Sequence, residues 1–191
     1  MLSIATKTGD AGETSLMYGR RVPKSDPRVD TCGCIDELNA ALGFARVTAT
    51  DTLIPELILS VQKELILIMG EVATLPEDLQ RYIKDGFNLT SREMVDRLTL
   101  EIDELEKNKL LHYKGWAIPG STPVSAALDI ARTACRRAER RIAALGQTTP
   151  EINPEILRYL NRLSDLCWLL ARCAEHTKEQ SETNESKRFA E

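Results

Sequence analysis

Apolar residues recur at helical spacing in five separate stretches of this 191-residue chain, and no stretch alternates in the manner of a strand. The pattern predicts an all-α fold: a five-helix, mainly up-and-down bundle forming a single domain over 1–191. The first helix opens near Pro27 and runs to about Val47, with Ile35, Leu38, Leu42 and Ala45 on one face. A second spans about Thr52 to Met69 and on toward Thr74, carrying Leu57, Ile58, Val61, Leu65 and Ile68. Thr90 and Glu93 read as a capping box that opens a third, through Met94, Leu98, Ile102 and Leu105. Thr122-Pro123 opens a fourth that Gly146 ends after about Leu145, and Asn153-Pro154 opens a fifth reaching about Ala174. The bundle therefore occupies 27–174, between a polar segment, 1–26, and a loose tail, 175–191.

Charge and composition remove several function classes. The net charge, 25 − 29 = −4, lacks the overall basic footprint of a nucleic-acid binder. No run reaches the roughly 18–20 apolar residues of a membrane span, and the first residues lack a signal-peptide layout. Five cysteines without CxxC spacing and two separated histidines leave no disulfide framework, zinc site or imidazole-centred catalysis. The reading is a reduced, cytoplasmic protein without nucleic-acid or membrane partners.

The polar residues then decide what remains. Residues 1–26 show no periodicity, and taken alone the stretch Thr6-Lys7-Thr8-Gly9-Asp10-Ala11-Gly12-Glu13-Thr14-Ser15 reads as a solvated arm. The alternative is a glycine-containing loop whose amides and hydroxyls surround a phosphate chain, with charge from Lys7 and Lys24. In the fourth helix Arg132, Arg136 and Arg140 follow at i, i+4, i+8 beside the apolar stripe, joined by Glu139, while Arg137 and Arg141 turn further toward solvent. Guanidinium groups flanking a core must be paired or hold a ligand, and their fork suits an oxyanion. The fifth helix carries Asn161, Ser164, Asp165 and Trp168 along one seam, and the first carries Asp36, Asn39 and Gly43. Asp36 is a natural counter-ion for an arginine of the fourth helix, and Glu37 is an alternative. Trp116 sits in the loop before that helix, as a packing anchor or a hydrophobic ligand surface.

Five stretches together resemble the PduO-type ATP:cob(I)alamin adenosyltransferases: T-K-T-G-D-A-G-E-T-S at 6–15, R-V-P-K-x-D-P-R-V at 21–29, C-I-D-E-L-N-A-A-L-G at 34–43, A-R-T-A-C-R-R-A-E-R-R at 131–141 and L-N-R-L-S-D at 160–165. The resemblance implies a homotrimer with active sites between subunits, and transfer of the 5′-deoxyadenosyl group of ATP to cob(I)alamin with release of triphosphate. It implies that Thr6, Lys7, Thr8, Gly9, Asp10, Gly12, Thr14, Ser15 and Lys24 wrap ATP. It adds Arg136, Arg137, Glu139, Arg140 and Asn161 as nucleotide contacts, and a pairing of Arg132 with Asp36 across the interface. It implies Mg2+ on the triphosphate, with Glu139 as a candidate ligand, K+ in some members, and Trp116, Ser164 and Phe189 as corrinoid contacts. The chain departs from the family pattern in having Trp116 where Phe is common and Ser121 where a glycine is usual. A reductase and a cobalamin-dependent acceptor enzyme are expected partners. The rival readings are a non-catalytic adenosylcobalamin carrier and a structural helical-bundle protein.

Overall fold

The computed structural model describes residues 5, 7–49, 53–107 and 116–188, with side chains described as far as 176. The five expected helices are present as α1 (Pro27–Thr48), α2 (Leu53–Val72), α4 (Arg92–Lys107), α5 (Pro123–Thr148) and α6 (Pro154–Arg188), and a short α3 (Leu79–Lys84) lies in the connection after α2. Their starts follow from local chemistry. Asp26 accepts the Arg28 amide at 2.8 Å, and Asn153 accepts that of Glu155 at 3.0 Å. Thr122 and Ser125 cap one another's amides at 3.0 Å.

α5 is the central element, packed against α1 on one side and α6 on the other. Small buried residues, Ala127, Ala131, Ala134 and Ala138, let its neighbours approach, and Leu38, Leu42, Leu128, Ile142, Leu160 and Leu163 fill the space between. One ion pair is sunk into this core: Arg172 of α6 donates to Asp129 of α5 at 2.6 Å, with both side chains at most 5% exposed. Asp129 also accepts from Arg132 at 2.9 Å, and Arg172 reaches Glu175 at 3.0 Å, so each buried charge is satisfied more than once.

Several local expectations are corrected. The polar N-terminal segment contains a two-stranded antiparallel hairpin, β1 (Glu13–Ser15) and β2 (Arg21–Pro23), joined through a turn at Met17–Gly19 in which Tyr18 and Gly19 have positive φ, so the molecule is not purely helical. Three-residue strands carry no readable alternation; tertiary contacts hold them. Thr90 does not form a capping box with Glu93. Its amide and hydroxyl donate to the buried Glu71 carboxylate at 2.6 and 2.7 Å, Asn153 donates to the same group at 2.8 Å, and α4 starts two residues later. Gly146 does not end α5, which runs on to Thr148. Helix α6 runs beyond Ala174 to Arg188. α3 is held by Tyr82, whose hydroxyl packs over Gly70 so closely that a Cβ there would lie 2.5 Å away.

Removing one partner of a buried pair strands the other charge, so Asp129→Ala is expected to lower the unfolding free energy by about 3–5 kcal/mol, read from urea titration. A loss below about 1 kcal/mol would mean that Arg172 finds water or Glu175 an adequate substitute.

Candidate functional site

The arginines of α5 divide into two sets. Arg132 is held by Asp129, Arg137 by Glu37 of α1, and Arg141 by Asp30 of α1 at 2.9 Å. Arg136 and Arg140, one turn apart, have no carboxylate partner among the described residues. They face α6 across an open groove of about 510 Å³. Glu139 and Asn161 line it between them, with Arg158 and Arg162 on the far wall.

The groove is set electrostatically as well as sterically. The Asn161 amide nitrogen donates to Glu139 at 3.0 Å and its carbonyl accepts from Arg162 at 2.9 Å, which fixes the amide's orientation. Arg158 and Arg162 each have an acid on their own helix, Glu155 and Asp165. Two unneutralised guanidinium forks beside one partly engaged carboxylate make a surface for an anion with several oxygens.

The N-terminal loop is ordered around its glycines. The Gly12 amide bonds the Gly9 carbonyl at 3.2 Å, and Gly12 lies at φ 85°, where a side chain would be strained. The Lys24 amide donates to the Gly12 carbonyl at 2.8 Å, and its ammonium lies over Gly9, where an added Cβ would come within 3.2 Å. Arg21 ties the loop to the hairpin through the Thr8 carbonyl at 3.0 Å, Ser15 at 3.2 Å and Glu13 at 3.3 Å. Lys7, Thr8, Asp10 and Ser15 remain exposed, and Thr14 is half-buried.

Not all expected site residues meet in one chain. Lys24 lines a second cleft of about 630 Å³, between the start of α1 and the Arg141 side of α5. Successive residues of a helix are turned by about 100°, so this cleft and the Arg136–Arg140 groove open on different faces. Arg137 lies on the α1 side with Glu37, away from the groove. Asp36 is exposed and makes no ion pair among the described residues. Asn39 and Gly43 belong to a seam with α2, where Gln62 donates to the Asn39 carbonyl at 3.0 Å. Ser164 is buried and its hydroxyl bonds the Asn161 carbonyl at 2.9 Å, so within one chain it presents nothing to the groove. Trp116 is 100% exposed, which removes the packing-anchor reading. Thr6 and Phe189 fall outside the described residues.

Burial pushes the Cys32 thiol up to about 11 and that of Cys167 to about 12, so neither is a thiolate near neutrality. Among the described residues no three His, Cys, Asp or Glu side chains gather into a metal cage. Sequence reasoning missed Arg158 and Arg162. Their signal was present: they flank Asn161 at −3 and +1 and share a face at i, i+4.

A helical bundle with a glycine loop and two arginines that meet no carboxylate among the described residues offers a groove suited to an extended anion. The chain belongs to the cobalamin adenosyltransferase family, whose profile matches residues 4–174. It is 36% identical over 183 residues to the corrinoid adenosyltransferase PduO of Salmonella typhimurium, covering 94% of this chain and 52% of that one, so it spans about half the length of that relative. To the corrinoid adenosyltransferase of Bacillus subtilis it is 37% identical over 176 residues, covering 90% and 86% of the two chains. A variant PduO-type ATP:corrinoid adenosyltransferase from Lactobacillus reuteri, solved with cobalamin and ATP, superposes with a TM-score of 0.81 at 31% identity, covering 93% of this chain and 96% of that one.

Because Arg136 and Arg140 sustain no ion pair among the described residues, Arg140→Ala is expected to change stability by no more than about 0.5 kcal/mol. The same substitution should remove most of the thermal shift that ATP produces in the parent protein. Loss of stability with an unchanged ATP shift would assign Arg140 a structural role instead.

Proposed function

We propose that this chain transfers the 5′-deoxyadenosyl group of ATP to cob(I)alamin, releasing triphosphate. The observation that carries the proposal is that Arg136 and Arg140, over a groove shared with Asn161, meet no carboxylate among the described residues, which leaves them available to phosphate. Relatives named as corrinoid adenosyltransferases and a neighbour solved with cobalamin and ATP support the choice of substrates.

In this reading cobalt(I) of the corrinoid substrate attacks the 5′ carbon of ATP and the triphosphate leaves. The hard chemistry belongs to the corrinoid, so the protein needs no nucleophile of its own, in keeping with the raised Cys32 and Cys167 thiols. Arg136 and Arg140 stabilise charge that grows on the leaving phosphates. Asn161, its amide fixed between Glu139 and Arg162, is oriented for the ribose. Lys7, Lys24 and the 8–15 amides close around the phosphate chain, which holds the 5′ carbon in line.

Mg2+ fits the donor set as a passenger on the triphosphate. Glu139 offers Oε2, which has no partner among the described residues, and one carboxylate plus phosphate oxygens is the usual Mg2+ arrangement. The ion would neutralise phosphate charge there, and K+ would likewise rest on phosphate oxygens.

The Lys24 cleft and the arginine groove open on different faces of α5, so one copy's glycine loop, with Gly9 beside Lys24, completes another copy's groove in the proposed homotrimer. Asp36, exposed and in no ion pair among the described residues, is then available to Arg132 of the next copy beside Asp129. Trp116 supplies a bare aromatic wall for the lower face of the corrin. No helix among the described residues is long and apolar enough to cross a membrane, and five cysteines without CxxC spacing suit the proposed cytoplasmic location.

Incubation with ATP, Mg2+ and chemically reduced cobalamin should produce the adenosylcobalamin spectrum; its absence with active reductant refutes the activity. Arg136→Ala is expected to reduce kcat/KM by about 10²–10³-fold, and a near-normal value would remove it from the phosphates. Asp36→Ala should shift sedimentation toward smaller species or weaken ATP binding, and a protein unchanged in both respects would refute the intersubunit pairing.

A further inference from the structure

The hairpin that carries the glycine loop is too small to place itself. Its strands have three residues each, and an isolated two-stranded hairpin is at best marginally stable in water. What places it is a set of contacts on the side away from the loop. Arg20 grips Asp78 through two hydrogen bonds, Nε to Oδ2 at 2.6 Å and Nη2 to Oδ1 at 2.8 Å. The Asp78 side chain is only 9% exposed, so water competes poorly for it. The Met17 amide donates to the Ala73 carbonyl at 3.0 Å, at the end of α2. Tyr18 donates to Asp85 at 3.0 Å while the Arg81 guanidinium lies 4.1 Å over its ring.

Arg20 and Arg21 are consecutive in an extended chain and therefore point opposite ways. Arg20 fastens the hairpin to the 76–85 segment, and Arg21 fastens the loop to the hairpin. The two links act in series, and the second is useful only while the first holds.

We propose that the Arg20–Asp78 pair is a positioning clamp, holding the 8–15 loop where it can meet the phosphates of ATP. The 76–85 segment, outside both clefts' arginine walls, thereby sets part of the affinity for nucleotide. Neither residue touches the substrate. The inference rests on the proposed adenosyl transfer for its kinetic readout, but not for its structural one.

The test uses the full chain with ATP, Mg2+ and chemically reduced cobalamin, comparing the parent with Arg20→Gln, Arg20→Lys and Asp78→Asn. Arg20 is half exposed, so its variants should fold. Arg20→Gln and Asp78→Asn are expected to raise KM for ATP about tenfold, with kcat and KM for cobalamin within about twofold of the parent. Arg20→Lys keeps the charge without the fork and should recover part of that loss. Amides of residues 8–15 in the unliganded Arg20→Gln protein should exchange with solvent at least about fivefold faster than in the parent. A KM for ATP within twofold of the parent's, or a fall in kcat alone, overturns the clamp. If the parent shows no adenosyl transfer, the functional reading fails instead, and the exchange rates alone decide the clamp: unchanged rates overturn it.

Discussion

A helix enclosed on two sides still has to account for each of its arginines. α5 packs against α1 and α6 through alanines, which brings neighbouring backbones close and leaves little room for unsatisfied charge. Arg132 is met by Asp129, and Arg137 and Arg141 are met by Glu37 and Asp30 across the α1 boundary. Arg136 and Arg140 meet no acid among the described residues, so they are the ones left open to a ligand. Guanidinium groups that face solvent across a groove cost little to keep free, and they regain Coulomb energy once an anion excludes water there.

The Asp129–Arg172 pair sets the conditions under which that works. It ties α5 to α6 from inside the core, one turn from Arg132, and so fixes the two walls of the groove relative to one another. Glu71 does the same at the opposite end, gathering the α2 terminus, Thr90 and Asn153. A buried polar group is a demanding choice for a core, but once fully satisfied it tolerates few alternative arrangements. Such rigidity suits the proposed task of aligning a nucleotide with a bulky corrinoid.

Much of this was legible from the sequence, for identifiable reasons. Five long amphipathic segments gave a period that tertiary context rarely overrides, and Thr122-Pro123 and Asn153-Pro154 start helices through atoms within three residues. The stripe of Arg132, Arg136 and Arg140 followed from helix geometry alone. Local rules failed where a distant partner outbid a near one: Thr90 went to Glu71, nineteen residues away, rather than to Glu93. The hairpin escaped notice because its stability lies in contacts with residues 73–85 and not in its own strands.

By itself the sequence determined the helical periods, the acidic balance, the motifs that mark the family and the set of cationic side chains. These depend on residue type and on spacing along one helix. Only the tertiary structure decided which arginines are neutralised and which stay open, because that turns on whether a carboxylate from another helix arrives within bonding distance. It likewise decided that the Lys24 cleft and the arginine groove face different directions, since the angle between two elements is fixed by how the rest of the chain packs between them.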